Sequence, residues 1–216
     1  MDLSPIIHNR LCLYLRSLRR LQEEDVHKIS SQGLAERFQL SAPQIRKDLA
    51  QLGEFGIRGV GYDVDELTCR LSSILRLDRV HPVVMVGMGN LGRALARYLG
   101  FNHGAFRVVA GVDKDPDKVG LQVAGFQVRP SSELKRVVQE HDIEVGVLTV
   151  PPDAAQGNYN RLVEAGVSGV LNFSPARVQA VPEVPLKDID LRIYLEQLAY
   201  FLPESDSEKE LVSSAS

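Results

Sequence analysis

The sequence predicts an α/β protein in which a small helical unit is followed by a unit built on a parallel sheet. Amphipathic helix patterns fill most of residues 4–75. After Pro82, short apolar strands alternate with helical segments, which is typical of parallel strands joined by helices. A glycine-rich turn stands between the first of these strands and the next helix. The 216 residues are enough for two small domains, each with its own core.

Composition narrows the class of protein. The formal net charge is −3, and no apolar run approaches the roughly 20 residues that span a bilayer. The N-terminus has no signal-peptide pattern, so we expect a cytoplasmic protein with no membrane partner. Cys12 and Cys69 fall in helical apolar patterns without metal-type partner spacing, so we expect two buried reduced thiols and no metal site.

The first segment is predicted to form an amphipathic helix. Ser4 supplies a capping hydroxyl, and Pro5 is tolerated in the first turn. The apolar stripe of this helix consists of Ile7, Leu11, Leu15, Leu18 and Leu21. The arginines off this stripe other than Arg16 are interpreted as solvated side chains, namely Arg10, Arg19 and Arg20.

Two short helices joined by a tight turn follow. The first is predicted over residues 30–38, and Ser41 and Gln44 begin the second with the spacing of a capping box. The inward positions of this second helix are Ile45, Leu49 and Leu52, and its outward positions are Gln44, Arg46, Lys47 and Gln51. Arg and Gln side chains can contact guanine and adenine edges, and Lys can neutralise phosphate. These residues favour a DNA-binding helix-turn-helix, although a helical bundle with a polar exposed face has the same pattern.

A glycine-rich segment over residues 53–62 alternates apolar residues with an exposed Arg58. This alternation predicts a short hairpin, and a helix-turn-helix followed by such a hairpin is the winged variety. An arginine on the hairpin can enter the minor groove of DNA, where the potential is most negative. A glycine-rich loop without a contact to bases is the alternative. A further helix over residues 67–75 closes the unit, and His81-Pro82 marks its boundary.

The most informative motif follows an apolar strand, where Gly87, Gly89 and Gly92 have G-x-G-x-x-G spacing. A strand, tight turn and helix of this kind form the first unit of a dinucleotide-binding Rossmann fold. The three glycines permit, in order, the sharp turn, the approach of a pyrophosphate and close packing of the helix. The next strand ends at Asp113, at the spacing of about twenty residues where a carboxylate binds an adenosine ribose. Because a carboxylate repels a 2′-phosphate, NAD is favoured over NADP, a preference that Lys114 softens.

Later strands are predicted to place further residues at the carboxyl edge of the same sheet, where ligands bind in this class of fold. Strands over residues 144–150 and 167–171 end at loops that contain four pocket candidates, Thr149, Val150, Pro151 and Asn172. Lys118 lies in the turn after Asp113 and is predicted to lie over phosphates. Each of these residues, taken singly, is also compatible with ordinary loop structure.

Residues 188–202 are predicted to form a last helix that is apolar nearly all round. Such a helix must be buried on more than one face, which suggests docking into a partner subunit and therefore a dimer. Pro203 ends the helix, and the polar, acidic residues 204–216 are predicted to form a disordered tail.

Taken together, these stretches resemble the redox-sensing transcriptional repressor family Rex. The similarity covers most of residues 1–203 in order, and it rests on SAPQIRKDLAQLGEFGIRGVGY, VGMGNLGRALARY, GVDKDPDKVG, VGVLTVP, GVLNFSP and LEQLAYFL. The resemblance implies a DNA-binding repressor that senses the NADH/NAD+ ratio. In this family NADH releases the protein from operator DNA, and NAD+ is a weaker competitor. The implied homodimer has a winged helix-turn-helix domain (1–80), a Rossmann NAD(H)-binding domain (81–187) and a swapped C-terminal helix (188–203).

The resemblance also implies roles for individual residues. Contacts to DNA are implied for Gln44, Arg46, Lys47 and Arg58. Contacts to the dinucleotide are implied for Gly87, Gly89, Asn90, Leu91, Gly92, Asp113, Thr149 and Pro151. A switch is implied for Arg16, Tyr98 and Asp190. In this hypothesis Asp190 pairs with Arg16 of the partner subunit in one state and with Tyr98 in the other.

An NAD-dependent oxidoreductase is the main alternative, but the sequence offers little chemistry for one. The one histidine after Asp113 is His141, which is predicted on a helix far from the strand ends. The sequence has no Tyr-x-x-x-Lys pair and no separate substrate domain, so we expect no catalytic residues and no enzymatic activity. A nucleotide-binding adaptor that does not contact DNA is the second alternative.

Overall fold

The computed structural model describes residues 4–38, 40–53, 56, 60–98 and 104–202. The chain divides into two compact units, Met1–Val80 and His81–Ser216. The predicted wing residue Arg58 and the predicted tail at 204–216 lie outside the described residues. None of the described helices is both long and apolar enough to cross a membrane.

The first unit packs its helices around one apolar core. Its described elements are α1 (Pro5–Glu23), β1 (Lys28–Ile29), α2 (Ser31–Phe38), α3 (Ala42–Ala50), β2 (Tyr62–Asp63) and α4 (Val64–Ile74). As predicted, Ser4 caps α1 and Ser41 caps α3, each by accepting a backbone hydrogen bond with its side chain. The stripe of α1 and the inner face of α3 lie together in the core, which includes Leu11, Leu15, Leu18, Leu21, Ile45 and Leu49.

The sequence pattern does not predict the short ribbon of β1 and β2, because two-residue strands show no periodicity. The two strands pair antiparallel, with Ile29 opposite Tyr62. Half of the hairpin predicted over residues 53–62, including Arg58, lies outside the described part of the chain. The ribbon brings the segment before α2 beside the residues that lead into α4.

The second unit is built on a seven-stranded sheet. Its described elements are β3 (His81–Val86), α5 (Asn90–Arg97), β4 (Phe106–Asp113), β5 (Gln122–Val123), β6 (Phe126–Pro130), α6 (Leu134–Glu140), β7 (Val145–Leu148), α7 (Pro152–Ala165), β8 (Gly169–Asn172), β9 (Leu186–Asp188) and α8 (Leu191–Ala199). The strand order is β5-β6-β4-β3-β7-β8-β9, and all neighbours are parallel except β5 and β6. From β6 to β9 this is the order of the Rossmann fold, so the predicted fold class is confirmed.

Both faces of this sheet are covered, which explains why its central strands are apolar without alternation. On β3, Val84 and Val86 belong to the layer that α6 and α7 provide. Val83 and Met85 belong to the opposite layer, which includes Ala96 of α5. Because β4, β3 and β7 are neighbouring parallel strands, their carboxyl ends lie at the same edge of the sheet. The strand order reverses at this edge, between β3 and β7.

The helix after the glycine turn ends at Arg97, and Tyr98 follows it with an extended backbone. The start of the helix predicted over residues 188–202 differs from the prediction. The last helix begins at Leu191, because Asp188 belongs to β9 and pairs with Asn172 of β8 instead. Asp188, which the apolar pattern predicts as the first residue of the helix, is therefore the last residue of a strand.

The prediction of two buried thiols is wrong for Cys69, which is exposed on α4. Leu67 and Leu71 give α4 its buried face, and Cys69 lies midway between them in sequence, on the opposite side of the helix. Cys12 is half-buried on α1, and burial raises the pKa of its thiol.

Candidate functional site

A glycine-rich loop joins β3 to α5 at the carboxyl edge of the sheet. Gly87 has a φ of +94°, and a Cβ there would lie 2.7 Å from Thr149 O. A Cβ on Gly92 would overlap Gly87 O and would lie 2.8 Å from Thr149 Oγ1. Both positions therefore require glycine, Gly87 for the turn and Gly92 for the close packing of α5 on the loop.

Gly89 differs from these two glycines, because a Cβ there would meet no atom of the described residues within 4 Å. Gly89 is also the N-cap of α5, and within the described chain no side chain caps that helix start. The first amide N–H groups of a helix need acceptors from outside the helix, and the helix dipole favours an anion there. The open space at Gly89 and the uncapped helix start fit a pyrophosphate, whose oxygens are acceptors.

The loop forms one wall of a cavity of about 920 Å³. This volume is in the range of about 300–1,000 Å³ that is usual for small-molecule sites. Most of the residues predicted to contact the dinucleotide line it, namely Gly87, Gly89, Asn90, Leu91, Asp113, Lys118, Thr149 and Pro151. Gly92 is buried, and it supports the loop through its close approach to Gly87.

Asp113, the last residue of β4, is buried and holds the glycine loop in place. Its Oδ2 accepts a hydrogen bond from Met88 N (2.6 Å), and its Oδ1 accepts one from Asp115 N (2.9 Å). A carboxylate has about four acceptor sites, so Oδ1 keeps the capacity to accept from a ligand hydroxyl. Asp113 thus combines support of the loop with a position suited to a ribose.

Lys118 lies beside two carboxylates at the Asp113 side of the cavity. Its Nζ is 3.1 Å from Asp115 Oδ2 and 3.6 Å from Asp113 Oδ2. The hydrogen bond with Asp115 raises the pKa of Lys118, and the same contact lowers the pKa of Asp115. The cation is therefore close to the predicted ribose position, and its charge is partly neutralised there.

The loops after β7 and β8 form the opposite part of the site. Thr149 Oγ1 donates a hydrogen bond to Gly87 O (2.6 Å), which connects the β7 loop to the glycine loop. Asn172 is fully buried and is not among the described residues that line the cavity, so its prediction as a pocket residue is wrong. Its amide bonds to the chain around it instead, while the adjacent Phe173 and Pro175 line the cavity.

The sequence interpretation missed three cavity residues on α7, namely Ala154, Asn158 and Arg161. Arg161 donates hydrogen bonds to Ser131 O and to Asn158 Oδ1, and all three residues line the cavity. Asn158 and Arg161 follow Ala154, another cavity residue, at intervals of four and three. That helical spacing on the segment after a strand end is the signal that predicts them.

On α3, the residues predicted to contact DNA are two exposed cations and one half-buried amide. Arg46 and Lys47 are exposed, and Arg46 Nη1 donates to Ser31 Oγ of α2 (2.8 Å). Gln44 is half-buried, and its Nε2 donates to Asp48 Oδ1 (2.8 Å). The prediction that Gln44 faces simply outward is therefore wrong, because a buried carboxylate holds its amide.

Asp48 is the buried carboxylate beneath α3, and sequence reasoning missed it. Arg10 Nε donates to Asp48 Oδ2 (2.6 Å), Arg10 Nη2 donates to Oδ1 (2.7 Å), and Tyr14 Oη donates to Oδ2 (2.8 Å). Burial by itself raises the pKa of Asp48, but the hydrogen bonds from Arg10, Tyr14 and Gln44 outweigh it and hold the pKa below its ordinary value. The expectation that Arg10 is merely solvated is therefore wrong.

The residues predicted to form a switch lie on separate elements. Arg16 is exposed on α1, in the first unit. In the second unit, Tyr98 follows α5 and is 60% exposed, and Asp190 Oδ1 caps α8 by accepting from Arg192 N (2.9 Å). The apolar side chains of α8 are exposed in this chain: Leu191, Ile193, Tyr194, Leu195 and Leu198.

Two family models match the chain. One is described as "CoA binding domain" and matches residues 78–176. The other is described as "Putative DNA-binding protein N-terminus" and matches residues 2–50. The first match contains the glycine loop and Asp113, and the second contains α1 to α3, so the two matches fall on the two compact units.

The chain is similar over most of its length to redox-sensing transcriptional repressors named Rex. It is 46% identical to the Rex of Streptomyces griseus, over 88% of this chain and 76% of the relative. It is 41% identical to the Rex of Chloroflexus aurantiacus, over 93% of this chain and 95% of the relative.

Solved structures of a Rex-family repressor, RSP, have the same fold. A crystal structure of RSP with β-NAD+ and operator DNA is 34% identical, with a TM-score of 0.89 and both chains fully covered. A crystal structure of RSP with β-NADH is 32% identical, with a TM-score of 0.84 and the same coverage. The chain therefore belongs to the Rex family of redox-sensing transcriptional repressors.

Proposed function

We propose that this protein is a DNA-binding transcriptional repressor that senses the NADH/NAD+ ratio and that NADH releases from its operator. The observation that supports this most is the cavity at the carboxyl edge of the sheet, where a loop open at Gly89 lies near the Asp113 carboxylate. A dinucleotide needs these two features, one for its pyrophosphate and one for its ribose. The Rex relatives and the RSP structures with β-NADH, or with β-NAD+ and operator DNA, support the same function.

The nucleotide is bound by the residues of the cavity. The loop from Gly87 to Gly92, including Asn90 and Leu91, surrounds the pyrophosphate with backbone N–H groups. Asp113 accepts a hydrogen bond from the adenosine ribose, and its charge disfavours the 2′-phosphate of NADP. Lys118 lies on the same side, and Thr149 and Pro151 line the opposite wall.

The first unit contacts DNA through α3. Arg46 and Gln44 contact base edges in the major groove, and Lys47 neutralises phosphate. Arg58 enters the adjacent minor groove. The Arg46 contact with Ser31 Oγ is exposed to water, so exchanging it for a base contact costs little. Because phosphate neutralisation releases counterions, the affinity for DNA falls steeply with salt.

The apolar helix α8 forms the dimer contact. Leu195 and Tyr194 are 66% and 62% exposed, although side chains of this kind are usually buried. A contiguous exposed apolar surface of this kind marks an interface. We assign residues 188–203 to a helix that two subunits exchange in a twofold dimer. A twofold dimer recognises a pseudo-palindromic operator. We place the protein in the cytoplasm.

Redox sensing follows from linkage between the two ligands. NADH shifts the dimer only by binding one arrangement of the subunits more tightly than the other. Operator DNA must then lower the affinity for NADH by the same factor. The contacts that change are assigned to Asp190, which pairs with Arg16 of the partner subunit in one arrangement and with Tyr98 in the other.

The experiment that tests this function is fluorescence anisotropy of a labelled duplex. The duplex is selected with this protein from a randomised pool, and the complex is then titrated with NADH or NAD+. Release by NADH at much lower concentration than by NAD+ supports the proposal. Binding that neither nucleotide affects contradicts the sensor role, and absence of binding in low salt contradicts the repressor role.

No catalytic residue is assigned in this proposal, and the protein is not an enzyme. The check is the absorbance of NADH during incubation with the protein and candidate carbonyl substrates. A stable NADH signal agrees with the sensor role. Sustained oxidation of NADH under turnover conditions supports the oxidoreductase instead.

A further inference from the structure

Gln44 and Asp48 are one helical turn apart on α3, and their side chains are bonded to each other. Gln44 Nε2 lies 2.8 Å from Asp48 Oδ1. The Asp48 side chain is 0% exposed, whereas Gln44 is half-buried between the core and the polar face of the helix. Gln44 therefore differs from Arg46, whose partner Ser31 Oγ lies at the exposed surface, because the partner of the Gln44 amide is a fully buried carboxylate.

All acceptor sites of the Asp48 carboxylate are in use. Oδ2 accepts from Arg10 Nε and Tyr14 Oη, and Oδ1 accepts from Arg10 Nη2 and Gln44 Nε2. Four donors match the roughly four acceptor sites of a carboxylate. Because Arg10 bonds to both oxygens, the carboxylate cannot rotate without breaking a bidentate ion pair. The Oδ1 atom that faces Gln44 is thereby fixed.

The fixed carboxylate determines which way the Gln44 amide is turned. An ionised carboxylate accepts hydrogen bonds and donates none, so the NH2 group of the amide must face Asp48. The hydrogen-bond network is what distinguishes the oxygen from the nitrogen of a glutamine amide, and this network permits one orientation. Oε1 and the second N–H of Nε2 remain, and they present an acceptor beside a donor.

We propose that Asp48 is a positioning residue that makes Gln44 select adenine, an inference that rests on the proposed function of α3. In the major groove adenine presents the N6 amino donor beside the N7 acceptor, which complements the free groups of the Gln44 amide. Guanine presents two acceptors at the same place and does not match. Asp48 acts through Gln44 and contacts no base.

The test compares base preferences among variants of the full-length protein. A duplex selected by the wild type competes with duplexes in which each A·T pair of a half-site is replaced in turn. The wild type is expected to lose affinity about 5- to 150-fold at one such pair, the usual range for a bidentate contact. Gln44→Met, which keeps the packing but lacks the amide, should lose this preference and keep the preferences at G·C pairs.

Asp48→Asn tests the positioning role itself. The amide that this change introduces can both donate and accept, so the Gln44 amide can turn over. The preference at the same A·T pair should then fall towards that of Gln44→Met. Tyr14→Phe is the matched control and should keep the wild-type preference, because it removes a donor from Oδ2 and leaves the Gln44 contact with Oδ1. A purely structural role for Asp48 predicts a uniform loss over all duplexes instead, and that result would overturn the proposal.

Modified bases test the proposal without any protein variant. Replacing adenine by 7-deazaadenine removes N7, and replacing it by unsubstituted purine removes the N6 amino group. Loss of wild-type affinity with both replacements at one adenine supports the proposal, and loss with neither at any adenine overturns it. A wild-type preference at A·T pairs that persists in Gln44→Met overturns it as well and leaves the repressor function standing. If the wild type binds no duplex in low salt, the proposed function itself fails.

Discussion

At the residue scale, two buried carboxylates have different roles because their donors differ. Asp48 is surrounded by side-chain donors that include the Arg10 guanidinium, and its acceptor sites are filled. Asp113 is held mainly by the backbone N–H groups of Met88 and Asp115, which leave Oδ1 able to accept another bond. The first carboxylate therefore stabilises the fold, and the second can also bind a ligand.

Arg10→Met should destabilise the first unit strongly, because it leaves the buried Asp48 carboxylate without its cation. Removing one partner of a buried ion pair costs about 3–5 kcal/mol in the free energy of unfolding. Denaturant unfolding of the full-length protein at neutral pH, followed by circular dichroism, measures this loss. Arg20→Met is the control, because Arg20 is also an arginine of α1 but pairs with Glu24 at the exposed surface. Surface pairs of that kind contribute about 0.3–0.5 kcal/mol.

The ion pair between Arg10 and Asp48 also predicts that the free energy of unfolding depends on pH. The pKa of Asp48 is lowered in the folded protein, so its contribution is present above the unfolded pKa of about 3.9 and is lost as pH falls through the folded value. The difference in unfolding free energy between the wild type and Arg10→Met should therefore narrow in acid. A difference that stays constant from neutral to strongly acidic pH would contradict the role given to Asp48.

Sequence reasoning identified residues whose role is local and missed those whose role depends on packing. Gly87 and Gly92 follow from spacing, because a sharp turn and a close helix are requirements of the neighbouring backbone. The bond between Arg10 and Asp48 joins residues 38 positions apart, so no local pattern contains it. The position of Asp48 between the inward residues Ile45 and Leu49 indicates its burial, but it does not identify the partner.

At the element scale, the fold requires glycine at positions 87 and 92 of the loop, whereas glycine at position 89 is proposed to be required by the ligand. Gly89→Ala should leave stability close to that of the wild type, because the new Cβ meets no atom in the described structure. The same Cβ occupies the space assigned to the pyrophosphate, so the affinity for NADH should fall more than about tenfold, or roughly 1.4 kcal/mol. Thermal unfolding and titration of NADH fluorescence measure the two effects.

Two other glycines serve as controls for this prediction. Gly157→Ala on α7 also meets open space, and it should keep NADH affinity and stability. Gly92→Ala should lose both, because its Cβ would overlap Gly87 O. Wild-type NADH affinity in Gly89→Ala would mean that the dinucleotide does not approach this part of the loop.

The sequence predicts helices and strands well where they are long and capped, and poorly where they are short. The start of α1 follows from Ser4 and Pro5, because capping depends on neighbouring residues alone. The strands β1, β5 and β9 have two or three residues, and segments of that length show no periodicity. The apolar pattern misplaces the start of α8, because the pairing of Asp188 with Asn172 is a tertiary contact.

At the scale of the whole molecule, the dimer contact proposed for α8 can be tested through one of its exposed apolar side chains. Leu195→Glu should produce a monomer, because it places a charge in the apolar contact proposed between two subunits. Sedimentation equilibrium measures the mass, and NADH titration should remain close to wild type because no residue of α8 lines the described cavity. Glu196→Gln, an exposed change on the same helix, should remain a dimer. A dimeric Leu195→Glu would place the interface elsewhere.

In the proposed switch, coupling between NADH and operator DNA depends on the dimer, and substitution of Arg16 should separate coupling from binding. In the wild type, the factor by which operator DNA weakens NADH binding should equal the factor by which NADH weakens DNA binding, typically about 5- to 150-fold. Arg16→Ala should reduce this factor towards one while the affinity of the free protein for NADH changes little, because Arg16 lies on α1 and does not line the cavity described in the second unit.

The measurement is a complete cycle of four dissociation constants, for NADH and for the selected duplex, each with and without the other ligand. Arg20→Ala is the matched control, because Arg20 is another exposed arginine of α1, and it should keep the wild-type factor. A loss of NADH affinity in Arg16→Ala as large as the loss of coupling would contradict the switch, since Arg16 would then support the nucleotide site itself. A reduced factor with unchanged NADH affinity would place Arg16 in the contact by which the bound nucleotide alters the affinity for DNA.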